Sequence, residues 1–276
     1  MFYIAGLIMV EQAYAMIQSV FFALLLAQIP IVITFFIKDG LRWRHPVLLW
    51  GNASVLSFCI LIHLSFSGMG SLFTPFVGLI TMGISLQILY LSVGTHRWQY
   101  LGKYLMTLSL GFLLLGILSP NSGPVSLSDG FWVPIHATLI LIGLCAFVLH
   151  FPLCLLYLIV QYRLKSKQLS DITFYPSLNI LDAYAVYSLL IGFFALTLGV
   201  SSGLLLFLEQ DITWDVTTYI TLALWFWYLG GIYSRYILQR RHNWTAWFGI
   251  VGFMVVSALF FLATFAGGTW HLGGAI

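Results

Sequence analysis

Histidine is the residue type here best suited to chemistry, and the chain has seven. His136 follows Trp132 and Pro134, and His271 follows Trp270 and precedes Gly273 and Gly274. Neutral imidazoles are metal ligands, and two presented at one depth could hold a haem iron from its two sides. Two histidines that merely face an interface are the alternative. His63 and His150 lie inside apolar runs, where an ionisable group is costly and often functional. A neutral ring hydrogen-bonded to a neighbouring helix is the cheaper state there. His45, His96 and His242 stand among lysines and arginines and read as solvated residues. The segment EQDITWD, Glu209–Asp215, carries three carboxylates. A hydrolase pair or a cation site is conceivable from such a cluster, and an exposed acidic loop is the plainer reading. No EF-hand, HExxH, GxSxG or P-loop pattern occurs. The three cysteines, Cys59, Cys145 and Cys154, sit singly in apolar runs and form no CxxC pair, so they read as small buried hydrophobes.

The elements that must hold these residues are membrane spans. Of the 276 residues, 61% are hydrophobic, 17% aromatic and 7% charged. A soluble domain carries roughly 25% charged residues, so a soluble protein of this composition could not cover its surface. Eight apolar runs lie between polar breaks: Ala13–Ile37, Pro46–Phe66, Pro75–Gly94, Tyr104–Leu118, Pro134–Tyr162, Tyr187–Leu208, Thr217–Tyr233 and Trp247–Ala266. They are long and continuous, without the alternation of strands, which predicts an all-α bundle of about eight transmembrane helices. The whole of 1–276 reads as a single membrane domain. Met1–Val10 is too short to span, has no basic residues before it and is not followed by a cleavage-type segment, so no removable signal peptide is expected. Arg163–Val186 reads as the longest polar loop, with a surface segment before the sixth span.

Charge orients the spans. Lys38, Arg42 and Arg44 follow the first run, Arg97 and Lys103 the third, Arg163, Lys165 and Lys167 the fifth, and Arg235, Arg240 and Arg241 the seventh. These are all 11 basic residues, and they occupy alternate loops. Basic loops stay on the cytoplasmic side, so both termini are expected on the outer (periplasmic) side. That topology brings His136 and His271 to the same outer face, with His63 about one turn below it. Asp129, Glu209, Asp211 and Asp215 fall on this face too, along with Trp132, Trp214 and Trp270. The basic residues follow the topology rule, so no nucleic-acid partner is expected; the partner the composition demands is the lipid bilayer.

Taken together, these residues resemble the cytochrome c assembly superfamily of haem-handling membrane proteins, and within it the HemX/YpjD-like inner-membrane branch. WVPIHATLILIGLCAF, residues 132–147, resembles the segment bearing the first external haem-ligand histidine, here His136. LNILDAYAVYSLLIGFFALTLGVSSG, residues 178–203, resembles the stretch before a tryptophan-rich outer loop, with Gly192, Thr197, Gly199 and Gly203 in its small-residue pattern. TWDVTTYITLALW, residues 213–225, is similar to a shortened Trp-Trp-Asp motif and the span after it, through Trp214, Asp215 and Trp225. ATFAGGTWHLGG, residues 263–274, resembles the segment of the second external histidine, here His271. The similarity is clearest over residues 130–274. His63 fits the intramembrane histidine of the second span of that branch.

The resemblance implies haem b as cofactor, bound on the outer face with His136 and His271 as its axial metal ligands. It implies Trp214 stacked near the porphyrin, Asp215 orienting a neighbouring group, and His63 in a supporting position. Other cytochrome c assembly proteins or an apocytochrome are the implied partners. The chemistry implied is ligation and presentation of haem, not bond-making by the protein's own side chains. The departures define the alternative. Leu208–Thr213 replace the family's run of tryptophans, Val216 to Thr218 replace its Pro-Lys-Glu, and Tyr233 stands where large haem synthetases of the superfamily carry a further histidine. A chain so reduced could be a haem-free scaffold or a regulator of tetrapyrrole biosynthesis, as the HemX-like resemblance also allows. A transporter is a poorer reading, since neither inverted repeats nor clearly broken helix pairs are visible.

Overall fold

The computed structural model describes residues 19, 23, 26, 28–30, 33, 51–58, 60, 61, 75–92, 99–119, 131–167, 175–210, 216–239 and 242–267. Among the described residues the regular structure is helical, with no strand. Helix α1 contains the described residues between 19 and 33, and α2 those between 51 and 61. They are followed by α3 (Pro75–Ser92), α4 (Gln99–Leu118), α5 (Trp132–Lys165), α6 (Leu178–Gln210), α7 (Val216–Tyr236) and α8 (His242–Gly267). Segments of α4 (Leu101–Leu118), α5 (Trp132–Lys165) and α6 (Leu178–Leu208) are long and apolar enough to cross a bilayer, and Phe76–Leu91 and Asn243–Leu259 are shorter apolar helices. The protein is a helical membrane protein. Its backbone polar groups are satisfied within helices, as hydrocarbon requires. The hydroxyls of Ser57, Thr81, Ser85, Thr138, Thr197 and Ser201 do likewise by donating to the carbonyl four residues earlier.

The helices depart from the apolar runs mainly at the ends that neighbour basic residues. Helix α6 begins at Leu178, nine residues before the expected Tyr187, and α8 begins at His242, five before Trp247. The surface segment expected within Arg163–Val186 is therefore, from Leu178 onward, the first turns of α6 itself. Charged and polar residues in a helix end are no obstacle to helix; they are an obstacle only to hydrocarbon, which is why a hydropathy boundary falls short of the helix boundary. The α5 and α6 helices run to 34 and 33 residues. At ~1.5 Å per residue each is ~50 Å long, well beyond a ~30 Å hydrocarbon core.

The chain forms two compact units, residues 1–93 with 105–127, and 94–104 with 128–276. The first is cored by Leu56, Ile60, Phe76, Val77, Ile80, Ile84 and Leu113. The second is cored by Phe147, Leu189, Leu196, Leu224 and Tyr228. Lipid is as apolar as leucine, so helix association in the membrane rests on close packing and interhelical hydrogen bonds. In the second unit α5 and α6 form the most extensive helix pair among the described elements. Phe147 supplies much of its packing: its ring lies against Gly192, where a Cβ would come within 2.6 Å, and stacks on Tyr228 of α7 at 3.4 Å between centroids.

Candidate functional site

The α5–α6 seam repeats every seven residues. His136 lies opposite Gly199, Gly143 opposite Gly192, and His150 opposite Ala185. Each seven-residue step forward on α5 is answered by seven residues back on α6, as in an antiparallel left-handed pair. The middle level is a close backbone approach. A Cβ on Gly143 would lie 3.3 Å from the Gly192 carbonyl oxygen and 3.2 Å from the Leu196 nitrogen. The two outer levels are histidines, about 21 Å apart along the helix at ~1.5 Å per residue.

Both histidines are held by the same device. His136 Nδ1 is 2.8 Å from the Gly199 carbonyl oxygen, and the Ser202 hydroxyl donates to that same oxygen at 2.8 Å. His150 Nδ1 is 2.8 Å from the Ala185 carbonyl oxygen, and the Ser188 hydroxyl donates to it at 2.8 Å. A carbonyl can only accept, so in both rings Nδ1 carries the proton and Nε2 carries the lone pair. That is the tautomer in which an imidazole ligates a metal through Nε2, with the Nδ1–H bond fixing its orientation.

The two rings differ in what surrounds Nε2. His150 is buried, and its Nε2 lies 3.3 Å from the Cys154 Sγ, a weak thiol donor one turn further along α5. Gly249 of α8 closes over it, and a Cβ there would come within 2.5 Å of Nε2. The Tyr228 ring approaches edge-on at 6.3 Å. Both nitrogens of His150 are engaged inside the protein, and its surroundings are those of a packing histidine. His136 is partly buried near the start of α5. Its ring lies against Gly203 of α6, where a Cβ would stand 2.8 Å from Cε1, 3.0 Å from Nδ1 and 3.7 Å from Nε2. Glycine at 203 therefore makes room for the ring, and with Gly199 and Ser202 it forms a cradle around the Nδ1 side.

Of the other residues singled out in the sequence, His63, Trp214, Asp215 and His271 lie outside the described residues, so the proposed grouping around His136 is not on view there. Trp225 is described. Its Nε1–H donates to the Thr197 hydroxyl at 2.9 Å and its ring stacks on Phe193 at 5.4 Å, tying α7 to α6. Tyr233 is about half exposed on α7. Among the described residues no group of three or more His, Cys, Asp or Glu side chains could hold a metal ion. The His136 Nδ1 bond to the Gly199 carbonyl leaves the ring in the tautomer that carries its lone pair on Nε2.

One pair escaped the sequence reading. Arg235, near the end of α7, forms a two-pronged ion pair with Asp182 of α6, Nη1 to Oδ1 at 2.8 Å and Nη2 to Oδ2 at 2.5 Å, and Nη1 also reaches the Thr245 hydroxyl of α8 at 3.3 Å. Both side chains are 17% exposed. Arg235 reads in the sequence as one more basic loop residue. Asp182 likewise falls in the polar loop read at Arg163–Val186; the available signal was that it is the single carboxylate of the stretch 178–203, which calls for a partner once that stretch is helix.

No curated protein and no solved structure matches the chain. The family model described as cytochrome C assembly protein matches residues 19–271. That match covers nearly all of the sequence and spans both units and the His136 cradle, so the chain belongs to the cytochrome c assembly protein family.

Proposed function

We propose that the protein binds haem b on the outer face of a bacterial inner membrane and presents it during cytochrome c maturation, with His136 and His271 as the two axial ligands. Membership of the cytochrome c assembly family supports a role in cytochrome c maturation or haem handling. The observation that carries the site is the His136 Nδ1–H bond to the Gly199 carbonyl at 2.8 Å, which turns the Nε2 lone pair into a fixed, ligand-type donor. In this reading eight spans place both termini outside, as the alternate basic loops support. As the resemblance to the HemX/YpjD-like branch implies, Trp214 and Asp215 would help to hold the porphyrin and His63 would be a supporting hydrogen-bond partner. His136 and His271 would hold the haem iron, and the bound group would be cargo for delivery and not a centre for oxygen chemistry. The protein's own residues do the rest. Gly199 and Ser202 hold the imidazole tautomer, and Gly203 leaves room for the ring. The partners in this reading are haem, an apocytochrome and other assembly proteins.

The test is the visible spectrum of the purified protein. A Soret band is expected in the parent and its loss in a His136→Ala, His271→Ala double variant that keeps its helical content. A parent without the band, reconstituted with haem and still without it, refutes the reading in favour of a haem-free scaffold or regulator.

A further inference from the structure

Four uncharged polar side chains from four helices meet inside the first unit: Gln28 of α1, Asn52 of α2, Gln87 of α3 and Ser109 of α4. Gln28, Gln87 and Ser109 are fully buried and Asn52 is 8% exposed. Ser109 is the hub. Its hydroxyl donates to the Gly83 carbonyl at 2.8 Å and accepts from Gln28 Nε2 at 3.3 Å and Gln87 Nε2 at 3.1 Å. Asn52 Nδ2 donates to Gln87 Oε1 at 3.5 Å, the long edge of a hydrogen bond. A hydroxyl offers one donor and two acceptor positions, so Ser109 is saturated. What is left over is Gln28 Oε1, buried and without a hydrogen-bond partner.

Exchanging the amide oxygen and nitrogen of Gln28 does not close the account. The oxygen would then face Ser109, whose proton is committed to Gly83, and the NH₂ group would take the open position. A buried amide oxygen lacking a donor is strongly penalised, and a bilayer offers no bulk water to relieve it. Buried polar networks are stable when complete, so the open valence points to a missing donor. The four groups are all neutral, which leaves nothing to balance a bound charge. A single amide oxygen also falls far short of the six or more oxygens that a hard cation collects.

We propose that the Gln28–Ser109–Gln87–Asn52 node is a binding site for one neutral hydrogen-bond donor, either a water molecule or the hydroxyl of a membrane-dissolved alcohol, held at Gln28 Oε1. The site is independent of the haem site and of the reading built on it.

The full chain, purified in lipid nanodiscs, tests the site in two ways. A high-resolution map is expected to show density about 3 Å from Gln28 Oε1. Thermal unfolding then compares the parent with Gln28→Met. Methionine forfeits the Nε2–Ser109 bond in either case. Relief of an orphaned acceptor would offset that loss, whereas loss of a bound donor adds to it. A fall in Tm of about 3 °C or more is therefore expected. An unchanged or higher Tm, or an empty map at Oε1, overturns the proposal. If the variant does not accumulate, the map of the parent decides alone. Mass spectrometry of an organic extract separates the two sources. A compound present at about one per chain in the parent and lost in Gln28→Met identifies a membrane alcohol, and density without such a compound identifies water.

Discussion

The two histidines of α5 show how one local device serves two ends. Each ring gives Nδ1–H to an α6 carbonyl that also accepts from a serine three residues later. The glycine that meets each ring decides the rest. Gly249 seals His150, so Gly249→Ala drives a methyl into Nε2 at 2.5 Å and toward Cys154 Sγ at 3.1 Å. Overpacking of this kind costs about 1–3 kcal/mol, which thermal unfolding will read, while the haem spectrum should be kept. Gly203→Ala places its methyl 2.8 Å from His136 Cε1. That change should move the ring and lower haem affinity by about tenfold or more, for about 1.4 kcal/mol lost at the iron, with a smaller effect on unfolding. A haem titration that gave the reverse ranking of the two variants would contradict the division of roles. Asp182 and Arg235 form the third residue-scale feature. Arg235→Met should cost about 2 kcal/mol by leaving a largely buried carboxylate alone, and adding Asp182→Asn should recover part of it. Equal losses in the single and double variants would show that the pair is solvated.

At the level of the helix, two features are exposed to test. Lys167, just past the end of α5, has φ 57°, a left-handed conformation in which a Cβ is penalised and glycine is not. Lys167→Gly should stabilise the protein by up to about 1 kcal/mol, visible as a rise in Tm of about 2–4 °C. No rise would mean that the Lys167 side chain makes up the difference. The α5–α6 seam depends on Gly143, whose missing Cβ lets backbone approach backbone at the central level. Gly143→Leu should separate the helices at the middle and loosen both histidine bonds at once. Amide hydrogen exchange would then speed up along the facing stretches of α5 and α6.

The whole-molecule prediction is topological. All basic residues fall in alternate interhelical connections or in the helix turns beside them, so a single cysteine at 166 is expected to label only from the cytoplasmic side and one at 129 only from outside, in a background lacking the three native cysteines. The opposite result at either position would overturn the eight-span arrangement. The same experiment bears on the proposed haem site, because His136 stands only a few residues from 129, near the start of α5. An inward-facing 129 would carry the His136 cradle to the cytoplasmic side, where an apocytochrome awaiting haem outside could not reach it.

Hydropathy and charge determined the class, the approximate spans and the expected orientation, because the bilayer tests each residue's transfer energy almost independently of its neighbours. The family was legible for the same reason: its segments are contiguous, as in 132–147 and 178–203, and His136 could be named from them. What the sequence could not supply was pairing between helices. That His136 and His150 share one device at Nδ1 depends on a register that fixes Gly199 and Ala185 opposite them, and the glycines the two rings meet, Gly203 and Gly249, lie 67 and 99 positions further on. Arg235 read as a loop cation until α6 brought Asp182 to it. The open acceptor of Gln28 required four helices to be assembled before its partners could be counted. Composition fixes which solvent each segment prefers, one residue at a time. Which polar atoms meet once that solvent is excluded is a property of pairs distant in sequence, and only the packed helices decide it.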